Sequence, residues 1–278
     1  MATIASEAGD RTVSIGRVFS RGFGTIGSNP VATLGIALLF SALPFMLIIY
    51  VVASLGIQAF AALGMAATIA VALFSALVFI LLSMITQGAL VRATVAYSQG
   101  RKASFAESAM AGLAVVLPLF LLGLLSALGF GLGLVLLLVP GVMLYVMWSV
   151  AAPALVEERL GPIEAFRRSH YLTRGARWKI FALMLVLVVI YWLFTTATQM
   201  LSMMWFAPGS TEVDSMGGPG VDPMRDAMSS FMVGVLMVSV VSGTITSAVW
   251  GVIMSSLFVE LRDWKDGPQT DTLADIFG

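Results

Sequence analysis

The sequence predicts an all-α integral membrane protein: six transmembrane helices in three hairpins, each hairpin preceded by a cytoplasmic amphipathic interfacial helix. Three observations predict it. Hydrophobic residues fill 59% of the 278 positions and charged residues only 11%, with a mean hydropathy of +0.98; a soluble chain runs at about half apolar and a quarter charged. Long intervals carry no charge at all, the longest lying between Arg21 and Arg92, and a helix needs about 20 apolar residues to cross about 30 Å of hydrocarbon. Finally, the basic residues segregate to one side of a six-span arrangement.

The elements follow in order. Residues 11–27 form a first interfacial helix, with Ile15, Val18, Phe19, Phe23 and Ile26 on one face and Arg17 and Arg21 on the other. The apolar stretch from Pro30 to Ile57 exceeds the core of a signal peptide, about 7 to 15 residues, so the N-terminus is expected to stay in the mature chain. Spans one and two cover 31–56 and 64–92, linked around Gly56, Gln58 and Gly64. Ser104 and Glu107 have the spacing of a capping box ahead of span three. Spans three and four cover 113–129 and 133–156, with "GFGLG" at 129–133 as the turn.

A burst of charge follows, "EERLGPIEAFRRSHYLTRGARWK". Pro162 suits a first helical turn, and a helix over 162–176 places Ile163, Ala165, Phe166, Ser169, Leu172 and Ala176 on one half and Glu164, Arg167, Arg168 and Arg174 on the other. Spans five and six cover 178–204 and 229–258, separated by a Gly-, Pro- and acid-rich loop at 205–228; residues 259–278 form a tail in which Leu273, Ile276 and Phe277 are helically spaced. The order of short helix and hairpin thus repeats three times across a single domain.

Charge orients the arrangement. Arg11, Arg17, Arg21, Arg92, Arg101, Lys102, Arg159, Arg167, Arg168, Arg174, Arg177, Lys179, Arg262 and Lys265 share one side, which is 14 of the 15 basic residues, and only Arg225 falls on the other. Lys and Arg excess marks the cytoplasmic face, so both termini are expected there and the 205–228 loop outside.

Several functions are disfavoured. The net charge is zero, which argues against a nucleic-acid partner, and the absence of cysteine excludes disulfides and thiolate sites. One histidine, His170, cannot build a multi-histidine metal centre, and no HExxH, Walker-type loop or intramembrane base for a serine nucleophile is present. The chain is therefore expected not to be an enzyme and to need no cofactor or metal. Ion-coupled transport generally requires ionisable groups within the bilayer, and the predicted span interiors hold none, Gln87 and Gln199 being their largest polar side chains.

Three sets of residues are candidates. Arg167, Arg168, Arg174, Arg177 and Lys179 could contact anionic lipid headgroups, or simply set topology with snorkelling side chains. Pro140, Gly141 and Pro153 could kink span four and open a cavity, or pack as plain kinks. Ser239, Gly243, Ser247, Gly251 and Ser255 form a small-residue stripe on span six, fit for packing within the chain or for a homodimer seam.

The segment "VPGVMLYVMWSVAAPALVEERLGPIEAFRRSHYLTRGARWKIF", with Pro140-Gly141, Trp148, Pro153, Gly161, Ala165, Ser169, Leu172, Gly175 and Trp178, and the tail "VELRDWKDGPQTDTLADIF" resemble the glycerophosphoryl diester phosphodiesterase membrane-domain family and related bacterial six-span proteins. The resemblance implies an all-helical protein of the bacterial inner membrane. It carries over no catalytic residue, since this chain has no phosphodiesterase barrel. The expected role is non-enzymatic: binding, organising or moving lipid at the cytoplasmic leaflet, with anionic lipids as partners. The alternative is a scaffold or accessory subunit for another membrane protein. A channel or small-solute transporter ranks third, because the sequence displays no continuous polar path.

Overall fold

The computed structural model describes residues 13–206 and 223–267. Arg11, most of the 205–228 loop and the segment holding Leu273, Ile276 and Phe277 lie outside the described residues. Those described are helical almost throughout, in the order α1 (Ile15–Ser28), α2 (Pro30–Ala37), a π turn (Leu38–Ala42), α3 (Leu43–Ser98), α4 (Phe105–Ala114), α5 (Val116–Leu136), α6 (Leu138–Trp148), α7 (Ala151–Glu158), α8 (Pro162–Thr173), α9 (Arg177–Phe206) and α10 (Pro223–Asp266). Six stretches are long and apolar enough to cross a membrane: Pro30–Val52, Ala62–Ser98, Val116–Val135, Leu138–Glu158, Arg177–Met204 and Phe231–Asp266.

Local chemistry explains the breaks. Ser14 caps α1 by accepting from the Arg17 amide, and Asn29 caps α2 by accepting from the Ala32 amide, with Pro30 at the first position. The π turn lies where Pro44 would clash with the carbonyl of Phe40, so the distortion absorbs the proline. Pro118 likewise meets the end of α4, and Pro153 meets the interruption at Ser149 and Val150 between α6 and α7. The helical trace of α3 runs unbroken for 56 residues, yet Phe45 and Phe79 pack with ring centroids 5.6 Å apart. A straight helix would hold them about 50 Å apart, so the chain reverses, and it does so at Gly64, whose φ of +79° strains any side-chain-bearing residue.

The glycines of 129–133 do not make the turn expected of them. Helix α5 continues through them to Leu136, and the chain turns at extended Leu137. Pro140 therefore sits in the first turn of α6, where no helical hydrogen bond is lost, and it does not kink span four. Gly133 and Gly141 serve instead as a contact: a Cβ on Gly133 would lie 2.9 Å from the Gly141 Cα, and one on Gly141 3.0 Å from the Leu134 amide nitrogen. Gly88 and Gly112 do the same between α3 and α4, at 2.8 Å. Small residues let helix backbones approach in lipid.

Residues 259–266, expected as part of a tail, instead extend the last helix into the packed bundle. Helix α10 continues to Asp266, and Leu257, Phe258, Val259 and Leu261 are buried with Val18, Val95, Val150, Leu172, Ile180 and Leu183 in the main core. This core gathers at the end of the bundle that carries the charges. Toward the opposite end the helices expose large apolar side chains such as Leu73, Phe74, Trp192 and Met237, as suits surfaces solvated by acyl chains.

Candidate functional site

The last two turns of α10 organise the charged end. Glu260, only 4% exposed, accepts hydrogen bonds from the Ser14 amide (3.1 Å) and Arg17 Nε (2.8 Å), and pairs with Arg17 Nη2 at 2.6 Å. Arg21 lies 4.0 Å from the other Glu260 oxygen and 3.5 Å from Asp263. Arg262, also buried, reaches Glu157 of α7 at 3.8 Å. Asp266 pairs with Arg168 of α8, which also grips Glu158 through Nε (2.8 Å) and Nη2 (2.7 Å). The hydrogen bond to Glu260, then its charge, holds the Arg17 guanidinium above its ordinary pKa. Partial burial pulls Arg168 the other way, but the hydrogen bonds and charges of Glu158 and Asp266 outweigh it and raise its pKa.

This divides the five basic residues singled out in the sequence. Arg168 is a structural clamp. Lys179 Nζ donates to the Val13 carbonyl at 3.3 Å, and Arg177 Nη2 lies 3.4 Å from His170 Nδ1. Arg167 and Arg174 are exposed and have no side-chain partner among the described residues. The buried face of α8 also differs from expectation. Ala165, Ser169, Leu172 and Thr173 point inward, while Ile163 is 64% exposed. The reason is the docking of α8 on the fourth span: Ser169 Oγ donates to the Met147 carbonyl at 2.8 Å, and Phe166 packs on Trp148 with centroids 4.7 Å apart.

Beside this clamp lies a pocket of about 700 Å³, bounded by α3, α4, α5 and α7. Ala111, Val115, Pro118, Leu155, Val156 and Leu160 form its apolar wall, and Arg92, Arg159, Glu107 and Glu157 its charged rim. Glu107 caps nothing with its carboxylate. Ser104 Oγ accepts from the Glu107 amide as a capping box requires, but the Glu107 side chain instead receives Arg92 (2.9 Å) and Arg101 (3.1 Å). Glu157 is matched by Arg262. The rim itself carries two arginines and two carboxylates, but both carboxylates are engaged by arginines, which leaves Arg159 exposed and without a side-chain partner among the described residues. Arg159 also has φ +51°, the described non-glycine residue in the left-handed region, which closes α7 and turns the chain into α8. The charge pattern groups Arg92 and Arg159 with the other basic residues but gives no reason to single them out, because only the fold brings α3 against α7.

Two further cavities lie within the spans. A cleft of about 440 Å³ is lined by residues from the π turn, α3, α9 and α10, among them Ser83, Thr86, Gln87, Thr195, Gln199 and Ser242. A smaller cavity of about 200 Å³ is lined by Ser126, Tyr145, Ser149, Pro153, Met254 and others. The stripe of α10 divides between them: Ser239, Gly243 and Ser247 line the cleft, Ser255 the smaller cavity, and Gly251 both. Gly251 also makes room for Leu90, whose Cδ1 would lie 2.5 Å from a Cβ there. Pro153 lines a cavity; Pro140 and Gly141 do not appear among the lining residues. The amides of Gln87 and Gln199, both exposed to the cleft, make no hydrogen bond among the described residues. Sequence spacing alone did not show this clustering of hydroxyls from four different segments.

Among the described residues no group of three or more His, Cys, Asp or Glu side chains could hold a metal ion. Comparison of the chain with protein-family models, curated proteins and solved structures finds no match.

Proposed function

We propose that the protein binds anionic lipid at the cytoplasmic leaflet of a bacterial inner membrane and organises or moves it there, without catalysing a reaction. The observation that carries this reading is the pocket at Arg159: an apolar wall for acyl chains beneath a rim whose carboxylates are already paired and whose Arg159 is not, next to the cluster that gathers most of the basic residues. The positive-inside rule supports the cytoplasmic assignment of that end. Arg167 and Arg174 extend the basic surface along α8, with Trp178 84% exposed nearby in sequence, a residue type enriched at membrane interfaces.

Native mass spectrometry of gently extracted protein tests the reading. Each basic residue near an anionic surface contributes about 1 kcal/mol, so Arg159→Gln should retain roughly fivefold less phosphatidylglycerol or cardiolipin, and Arg159→Gln with Arg167→Gln and Arg174→Gln still less. Equal retention of anionic and zwitterionic lipid by the wild type would refute it. A stoichiometric protein partner without selective lipid would favour the scaffold reading instead.

A further inference from the structure

The cleft and the smaller cavity meet end to end. Gln87, Trp250 and Gly251 line both. Along α10 their walls extend from Ser239 to Ser255, about 24 Å of helix at 1.5 Å per residue, against about 30 Å of hydrocarbon. No Asp, Glu, Lys, Arg or His is among the lining residues of either.

The hydroxyls on these walls fall into two groups: some donate back to their own helix, and others, the buried Ser149 Oγ among them, make no hydrogen bond among the described residues. Ser83 donates to the Ile80 carbonyl (2.7 Å), Thr195 to Tyr191 (2.8 Å), Ser239 to Val235 (2.7 Å), Ser247 to Thr244 (3.2 Å) and Ser255 to Gly251 (2.7 Å). Each hydroxyl has one hydrogen and two acceptor lone pairs. With the hydrogen directed to the backbone, these five keep acceptor capacity for an occupant, while Ser126, Tyr145 and Ser149 keep an O–H donor with no partner among the described residues. Gln87 and Gln199 add amides, donors as well as acceptors, with no partner among the described residues, Gln87 where the two spaces join. A wall that both accepts and donates hydrogen bonds, and among the described residues carries no charge, suits a neutral polyhydroxyl group, whose O–H groups do both. A cation or an anion would enter without a counter-charge, which is costly in a low-dielectric setting.

We propose that the two cavities form a passage for a neutral polyhydroxyl group, running past Gln87 and Trp250. The group is either a free polyol or the headgroup of a glycosyl lipid whose acyl chains remain in the bilayer. The passage does not depend on the Arg159 pocket, so either assignment can fail alone.

Full-length protein in phosphatidylcholine–phosphatidylglycerol liposomes provides the test in two arms. In one, stopped-flow light scattering follows swelling in an erythritol gradient. In the other, impermeant periodate reports how much glucosyl-diacylglycerol reaches the outer leaflet. One arm or both should run faster than protein-free vesicles, identifying polyol or headgroup respectively. Gln87→Leu and Ser247→Phe should each slow the active arm about tenfold, the loss of a strong hydrogen-bonding contact or of the space itself, while Arg159→Gln leaves it unchanged. Gln87→Leu adds no bulk, and circular dichroism with a thermal midpoint verifies its fold. The proposal falls if neither arm exceeds protein-free vesicles, if folded Gln87→Leu and Ser247→Phe both run at the wild-type rate, or if only Arg159→Gln slows transfer.

Discussion

Replacing Glu260 by glutamine tests whether the end of α10 holds the bundle together. The carboxylate is nearly inaccessible and serves the Ser14 amide, Arg17 and, at longer range, Arg21. Glutamine keeps the shape and one acceptor oxygen, enough for the Ser14 amide, but sets an NH2 donor against guanidinium donors. A hydrogen bond to a charged group contributes about 1.5–3 kcal/mol. Arg17 is 57% exposed, so water recovers most of its charge when the partner goes, which places its pair at the low end. Arg21 retains Asp263. The expected loss is about 2 kcal/mol for Glu260→Gln and about 3 kcal/mol for Glu260→Ala, where the Ser14 amide is orphaned too. At roughly 2–4 °C per kcal/mol for a chain near this size, the glutamine variant should melt about 4–8 °C lower. SDS titration from mixed micelles, alongside the thermal midpoint, measures the difference. Arg17→Gln should cost about 1 kcal/mol, and the double variant less than the sum of the two singles. Stability of Glu260→Gln within about 0.5 kcal/mol of wild type, or strict additivity in the double variant, would refute the reasoning.

Three further outcomes follow from the same geometry. Arg168→Gln should lose about 2–3 kcal/mol, because it strands Glu158 and Asp266 together, whereas Arg167→Gln one residue earlier should stay within about 0.5 kcal/mol in the same titration. Gly88→Ala forces a methyl to within 2.8 Å of the Gly112 Cα and should cost about 1–3 kcal/mol by overpacking; Gly64→Ala, which meets open space but needs φ +79°, should cost about 1 kcal/mol. Hydrogen bonds from Arg101, then Arg92, hold the Glu107 carboxyl below its ordinary pKa. Its contribution is complete above the unfolded-state value and disappears as pH falls through the lower folded value. The wild-type melting temperature should therefore drop more steeply than that of Glu107→Gln below about pH 4.5, measured by a thermal scan across acid pH.

The six spans were legible because hydropathy and charge segregation act on long windows, where single errors average out. Errors arose where one residue type has two uses. In 129–133 glycine was read as flexible, yet Gly133 is kept for its missing side chain against Gly141. The charges from Glu260 to Asp266 were read as the exit from the membrane, yet they end a packed helix because partners on α1, α7 and α8 neutralise them. Those partners lie far away in sequence, so no local window holds the information. The same holds for the candidate sites. The basic residues of α8 were visible as a group, but which of them were already engaged depended on Glu158 and Asp266. The hydroxyls of the intramembrane cleft were each unremarkable in their own span.

The closing role of α10 also bears on the order in which the chain is made. Arg17 precedes its carboxylate partner by 243 residues, which at about 5–20 residues per second is roughly 12–50 s of synthesis. Throughout that interval Arg17 and Arg21 lack Glu260 and Asp263, Glu157 lacks Arg262, and Arg168 has only one of its two acids. Five spans must therefore wait in the bilayer unfastened, and the last one to arrive acts as the latch. A nascent chain stalled before Glu260 would hold inserted helices but an unsealed charged end.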